Sequence, residues 1–237
     1  MNIFVQWMTS LLKWLYSLTS FIGIPSYGIA IILLTIIIKS VIYPLTWKQM
    51  ASMRKTADLQ PKMQEIQKKY KSDPETMNAK VMELYKENNV NPASGCLPLV
   101  IQLPIFWALY SSLSHFGNYI SDPSQAQFLW FDLTMKGSLS DPTSFILPVL
   151  SAASTFLQTK ISTATSAASA GTGDKNAAAM ASTQKSMLYI MPFFMGYITY
   201  TVPSGLGLYF VVMNVVSIFQ QLYINRKLDS EKEKAAA

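Results

Sequence analysis

From Gly28 to Ile38 the chain is nearly all aliphatic, and this run forms the centre of an apolar segment at 26–46. A helix of about twenty residues, rising 1.5 Å each, covers the ~30 Å hydrocarbon layer of a bilayer. In lipid every backbone N–H and C=O must be paired within the protein, which constrains such segments strongly. Further apolar segments follow at 97–114, 143–159, 187–202 and 206–224. Half of the 237 residues are hydrophobic and only 14% are charged, whereas a soluble domain carries about 25% charged residues. The sequence therefore predicts an all-α membrane protein with five transmembrane helices.

The intervening segments have their own signatures. Residues 1–25 mix Trp7, Leu11, Leu12, Trp14, Leu15 and Leu18 with Gln6, Ser10, Lys13 and Ser17. This reads as an N-terminal amphipathic helix lying at the interface, with a weak sixth span as the alternative. Residues 47–96 read as a cytoplasmic antiparallel helical hairpin. Leu59, Met63, Ile66 and Tyr70 form one helical stripe, and Met77, Val81, Leu84 and Tyr85 form a second. Ser72 with Glu75 fits a capping box ahead of the second helix, with Pro74 in its first turn. An extracytoplasmic loop is expected at 115–142 and a cytoplasmic loop at 160–186, where 162–182 is a low-complexity Ala/Ser/Thr/Gly tract. Pro203-Ser204-Gly205 makes a tight turn, and a charged cytoplasmic tail occupies 225–237.

Charge orients this arrangement. Of the nineteen Lys/Arg, nine fall in the hairpin, three in 160–186 and four in the tail, whereas the opposite side holds only Lys13 and Lys136. The positive-inside rule places the N-terminus outside and the C-terminus inside. The net charge of +6 thus follows membrane topology, and no nucleic-acid partner is inferred. The start lacks the basic n-region and cleavage site of a signal peptide.

Covalent chemistry finds little support. A single cysteine, Cys96, and a single histidine, His115, make neither an intrachain disulfide nor a recognisable zinc site. No GxSxG, HExxH or P-loop is present. Cys96 reads as a small buried residue and His115 as a solvated loop residue. We expect no catalytic residues, no metal and no small-molecule cofactor; the chain does not read as an enzyme.

The informative polar residue is Lys39. A lysine near a helix centre costs roughly 2.5–3.5 kcal/mol on insertion scales. It lies eight residues before Lys48, so roughly 12 Å of helix separates it from the interface, more than its stem covers. Snorkelling and the lining of a water-filled cavity are both open to it. The company it keeps favours the second. Thr35, Lys39, Tyr43 and Thr46 follow one face of the first span. Gln102 lies in the second, Ser151, Thr155 and Gln158 share a face of the third, and Phe210, Asn214, Ser217 and Gln221 share a face of the fifth. Each could instead bond locally or to a neighbouring helix, but as a set they suggest a shared polar groove. No acidic residue lies in any expected span, so the lysine would attract anions. An insertase, an anion or small-solute transporter and an inert scaffold are the readings to separate. No internal repeat supports the transporter, and a scaffold leaves Lys39 unaccounted for.

Several motifs in this order resemble the YidC-type membrane protein insertase family. They are Tyr43-Pro44-Leu45-Thr46, Leu59-Gln60-Pro61-Lys62, Asn91-Pro92, Gly95-Cys96, Pro98, Ile101-Gln102-Leu103-Pro104-Ile105-Phe106, Ala108-Leu109-Tyr110, Pro203-Ser204-Gly205-Leu206, Leu208-Tyr209 and Asn214. The resemblance runs from about Tyr27 to Arg226. It implies a minimal bacterial form: a five-helix core in the plasma membrane, with a hydrophilic groove open to cytoplasm and lipid. It also implies nascent membrane proteins and the bilayer as partners, with the ribosome and a Sec-type translocon as further candidates. A positive residue of the first span would attract the acidic translocated tail of a client. The family usually has arginine there; lysine keeps the charge but loses the planar fork. Methionines of the hairpin segment, Met53, Met63, Met77 and Met82, are candidates for contacting incoming apolar segments, because methionine adapts to varied partners.

Overall fold

The computed structural model describes residues 3–91, 97–116, 120, 122–167 and 175–236. The protein is a helical assembly: α1 (Ile3–Phe21), α2 (Tyr27–Asp58), α3 (Gln60–Lys69), α4 (Pro74–Glu87), α5 (Leu97–Ser114), α6 (Ile146–Ala167), α7 (Lys175–Thr201) and α8 (Ser204–Ala236). Between α5 and α6, a two-residue antiparallel ribbon pairs β1 (Gln127–Phe128) with β2 (Phe131–Asp132). Among the described residues, two helices are long and apolar enough to cross a membrane, Tyr27–Asp58 and Ser204–Lys234; Val100–Ser114 is a shorter apolar helix.

Local signals set the ends of several helices. Gly23 takes a left-handed φ of 86°, which frees the chain to turn from α1 into α2. Ser26 caps α2, its hydroxyl accepting from the Ile29 N–H. The helix then runs through the aliphatic stretch and past Pro44, well beyond residue 46, and stops at Leu59. Pro61 enters the first turn of α3, where its missing N–H is harmless, and this starts a new helix in place of prolonging the old one.

The core lies where α2, α5 and α8 meet. Ala30, Ile31, Leu34, Ala108, Leu109, Leu206 and Tyr209 are all buried there. α8 packs beside both α2 and α6, and α7 lies against α6. The amphipathic α1 puts Met8, Leu12 and Leu15 into the same core and leaves Trp7 and Trp14 exposed. It packs on α2 and α5: Tyr16 stacks on Tyr27, and the Thr9 and Ser112 hydroxyls share a hydrogen bond of 3.0 Å.

One end of the bundle is sealed. Phe128 of the ribbon lies on Gly28, so closely that a Cβ there would fall 2.2 Å from the ring. The chain after the ribbon is tied to the α7–α8 turn. The Ser204 N–H donates to Met135 O at 2.8 Å, the Gly205 N–H to Leu133 O at 2.9 Å, and the Gly137 N–H to Tyr200 O at 3.0 Å. Leu133 is wholly buried beneath.

The hairpin forms at the other end. Leu59, Met63, Leu84, Tyr85 and Val90 make its own small core, with Ile66 and Val81 against them. Leu59, Met63 and Ile66 of one expected stripe meet Val81, Leu84 and Tyr85 of the other in this seam. The cap differs by one residue from expectation: Asp73, not Ser72, precedes α4. The reason is Pro74, which occupies the first helical position and so fixes the cap immediately before it. Hydrogen bonds from the Thr76 hydroxyl and then its N–H hold the Asp73 carboxyl below the usual carboxylate range.

The expected loop at 160–186 is largely helical among the described residues, and so is the charged tail. The 160–186 loop is shortened from both sides, since α6 continues to Ala167 and α7 begins at Lys175. Residues 168–174 lie outside the described residues. The tail at 225–237 continues α8 to Ala236. Alanine is the best helix former, so an Ala-rich tract of low complexity need not be a loop.

Candidate functional site

The middle and C-terminal part of α2, the start of α5, the C-terminal half of α6 and the N-terminal half of α8 surround a cavity of about 180 Å³. Its walls include Lys39, Thr46, Gln49 and Arg54 from α2, Gln102 from α5, Gln158 and Ser162 from α6, and Tyr209, Ser217, Gln220 and Gln221 from α8. Ile38, Ile42, Met50, Met53 and Ile101 supply its apolar surface. Among the described residues the lining contains two cationic side chains, Lys39 and Arg54, and no carboxylate.

Lys39 is half-buried, and among the described residues no acidic side chain pairs with it. The Gln220 amide donates to the Lys39 backbone carbonyl at 3.1 Å, joining α8 to α2. Gln102 donates to the Tyr209 hydroxyl at 2.8 Å, joining α5 to α8. Two buried amide atoms in this wall, Gln49 Nε2 and Gln220 Oε1, have no partner among the described residues. A buried amide left unpaired is costly, so these atoms and the ammonium favour water or a polar ligand in the cavity.

The expected polar set divides in two. Lys39, Gln102, Gln158, Ser217 and Gln221 line the cavity. Thr35, Ser151, Thr155, Phe210 and Asn214 are buried between helices. Thr35 bonds the Ile31 carbonyl of its own helix at 2.7 Å. Ser151 accepts from Thr199 at 3.0 Å. The Asn214 amide donates to Thr155 at 2.8 Å and to Ser154 at 3.0 Å. Phe210 stacks on Phe106, with centroids 5.9 Å apart. Tyr43 is half-buried near Trp47. These interhelical bonds set the spacing of α6, α7 and α8 around the cavity.

Sequence reading missed Gln49, Arg54, Tyr209 and Gln220 as wall residues. Part of the signal was present: Gln49 and Arg54 fall ten and fifteen residues after Lys39, within about 80° and 60° of it around the helix. An expected helix end at residue 46 hid it. The four candidate methionines are dispersed. Met53 lines the cavity, Met77 is half-buried, and Met82 is exposed on α4. Met63 is buried in the hairpin seam, its sulfur 3.2 Å from the Tyr85 hydroxyl; burial pushes the Tyr85 hydroxyl pKa up. His115 is exposed and bonds the Ser111 carbonyl. Cys96 lies outside the described residues. Among the described residues no group of His, Cys, Asp or Glu could hold a metal ion.

Comparison with known proteins gives a consistent set of relatives. The family model described as 60Kd inner membrane protein matches residues 17–232. The chain is 42% identical over 228 residues to a membrane protein insertase YidC of Wolinella succinogenes, covering 96% of this chain and 38% of that protein. It is 40% identical over 203 residues to the membrane protein insertase YidC of Fusobacterium nucleatum, covering 85% and 87% respectively. A solved structure described as an active YidC insertase with its first transmembrane domain resolved superposes with a TM-score of 0.62 at 30% identity, over 90% of this chain and 44% of that one. The chain thus spans well under half the length of several relatives that it matches.

Proposed function

Because the chain belongs to the 60Kd inner membrane protein family, the YidC family of membrane protein insertases, we propose that it inserts nascent membrane proteins into the bilayer and assists their folding. It is an all-α, multi-pass protein of the bacterial plasma membrane. On our reading five helices span the bilayer: α2, α5, α6, α7 and α8. The amphipathic α1 lies at the outer interface, and the hairpin and the end of α8 project into the cytoplasm. The charge asymmetry supports this orientation.

The observation that carries the mechanism is the cavity with Lys39 in its wall. It lies at the hairpin end of the bundle, and the opposite end is sealed. We take it as a hydrophilic groove reached from the cytoplasm. A client's short translocated tail would enter this wet space instead of bare hydrocarbon. Lys39 would attract acidic residues in that tail, while the client's apolar helix partitions into lipid beside α6 and α8. Moving a charged tail through hydrocarbon costs several kcal/mol per charge; a polar chamber part-way across lowers that barrier without making or breaking a covalent bond. Exposed Met82 and cavity-lining Met53 suit transient contact with varied apolar segments. Delivery from a ribosome, alone or beside a Sec-type translocon, belongs to this reading through the family likeness.

The test is insertion in proteoliposomes containing only this protein, using a single-span client with an acidic N-terminal tail. Protection of the tail from added protease is the expected result. Absence of protection with correctly folded and oriented protein, together with anion flux through the same vesicles, would replace the insertase with a transporter.

A further inference from the structure

We propose that Arg54 is a second carboxylate-receiving station, at the hairpin-side mouth of the cavity, and that the C-terminal end of α8 occupies it with the chain's own Asp229. The inference deepens the insertase reading and rests on it. Arg54 is fifteen residues beyond Lys39 on the same helix, roughly 22 Å along its axis. Both side chains line the cavity.

The station already holds a carboxylate. Arg54 Nη2 pairs with Asp229 Oδ1, and Nη1 donates to the Asn225 carbonyl at 3.2 Å. A guanidinium matches a carboxylate best through two parallel N–H bonds. Here one arm is engaged by a backbone carbonyl, so Asp229 is held by the other alone. The arginine side chain is only 22% exposed, whereas that of Asp229 is 63% exposed. Gln49, which lines the same cavity, is 6% exposed, and its buried Nε2 donor has no partner among the described residues. The receiving side is therefore built and largely buried, and the occupant is loosely held and open to water.

Two further contacts of this part of α8 with α2 involve exposed lysines. Lys232 bonds Asp58 at 3.1 Å with both side chains more than half exposed, and the Lys227 ammonium lies 5.0 Å from the Trp47 ring centroid. Asp229 thus has the chemistry of the ligand expected at the cavity, an acidic side chain on a tethered segment. Its release requires only that the side chain swing away; α8 need not unfold. An acidic client tail would take its place at Arg54 before reaching Lys39, and a neutral tail would not.

A double-mutant cycle in proteoliposomes of the full chain tests this. The client carries either an acidic tail or the same tail with each Asp changed to Asn, and the ratio of their initial insertion rates is measured. Exposed ion pairs are weak, so Asp229→Asn should raise the acidic-to-neutral ratio about two- to fivefold. Arg54→Gln should lower it, Arg54→Lys should restore part of it, and Asp229→Asn should add nothing in the Arg54→Gln background. Photo-cross-links from the acidic tail to residues 50–58 should increase in Asp229→Asn and be lost in Arg54→Gln, whether or not insertion completes. An unchanged ratio and unchanged cross-links in Asp229→Asn, or an equal rise in both backgrounds, would overturn the proposal. If those effects hold while Lys39→Ala has none, the Lys39 mechanism fails and the Arg54 station stands.

Discussion

At the scale of single residues, the polar side chains inside the bundle serve two roles that composition alone does not separate. Lys39 and Gln158 face a cavity, whereas Asn214 holds helices together through Thr155 and Ser154. Interhelical hydrogen bonds within membranes contribute modestly. Asn214→Leu should therefore destabilise the protein by about 1–2 kcal/mol, mostly because the Thr155 and Ser154 hydroxyls lose their partner. Reversible unfolding in mixed micelles measures this; stability equal to that of the unsubstituted protein would show that the clamp contributes nothing. The residue types were legible in the sequence, but their destinations were not. A three-residue step places Asn214 and Ser217 on neighbouring parts of one helix face, and only the approach of α6 decides that Asn214 bonds across to another helix while Ser217 bonds the Met213 carbonyl of its own.

At the scale of elements, the hairpin is a folding unit with its own small core. Met63 is 4% exposed and sits among Leu59, Leu84 and Tyr85. Met63→Ala should remove about 2–4 kcal/mol from this local core. Backbone amides of α3 and α4 should then exchange hydrogen faster, with those of α2 around Ile31 unchanged. Faster exchange spread evenly over the bundle would show that the hairpin is not an independent unit. The two stripes that form this seam were legible from their three- and four-residue steps. The end of α2 was not, because helical propensity and charge continue smoothly from the apolar stretch to Asp58 and only Pro61 marks the break. The Ala-rich tract misled in the opposite direction. Low complexity suggested a loop, whereas alanine's helical preference extends α6 and α7 into it.

At the scale of the whole molecule, the two ends of the bundle differ in chemistry. One end is closed by the ribbon, by Leu133 and by backbone bonds to the α7–α8 turn; the other carries the cavity, the hairpin and most of the lysines. Single cysteines introduced at Lys71 and at Lys136, with Cys96 replaced by serine, should be labelled by an impermeant reagent from opposite sides of the membrane, Lys71 from the cytoplasm. Labelling of both from one side would contradict the proposed topology. The apolar segments and the charge bias were legible from the sequence, as was the presence of a lysine among polar neighbours. The sealed end was not, since it depends on Gly28 meeting Phe128 and on loop carbonyls finding distant amides.

On the proposed mechanism the charge at Lys39 guides a client's tail, and reversing that charge is the sharpest test of it. Insertion of one single-span client, with an acidic or a basic tail, would be compared in proteoliposomes carrying the unsubstituted protein, Lys39→Arg, Lys39→Ala or Lys39→Glu. Arginine should sustain insertion of the acidic tail, alanine should lose part of it, and glutamate should lose the most while gaining on the basic tail. Insertion of the acidic tail by Lys39→Glu at the unsubstituted rate would contradict the mechanism.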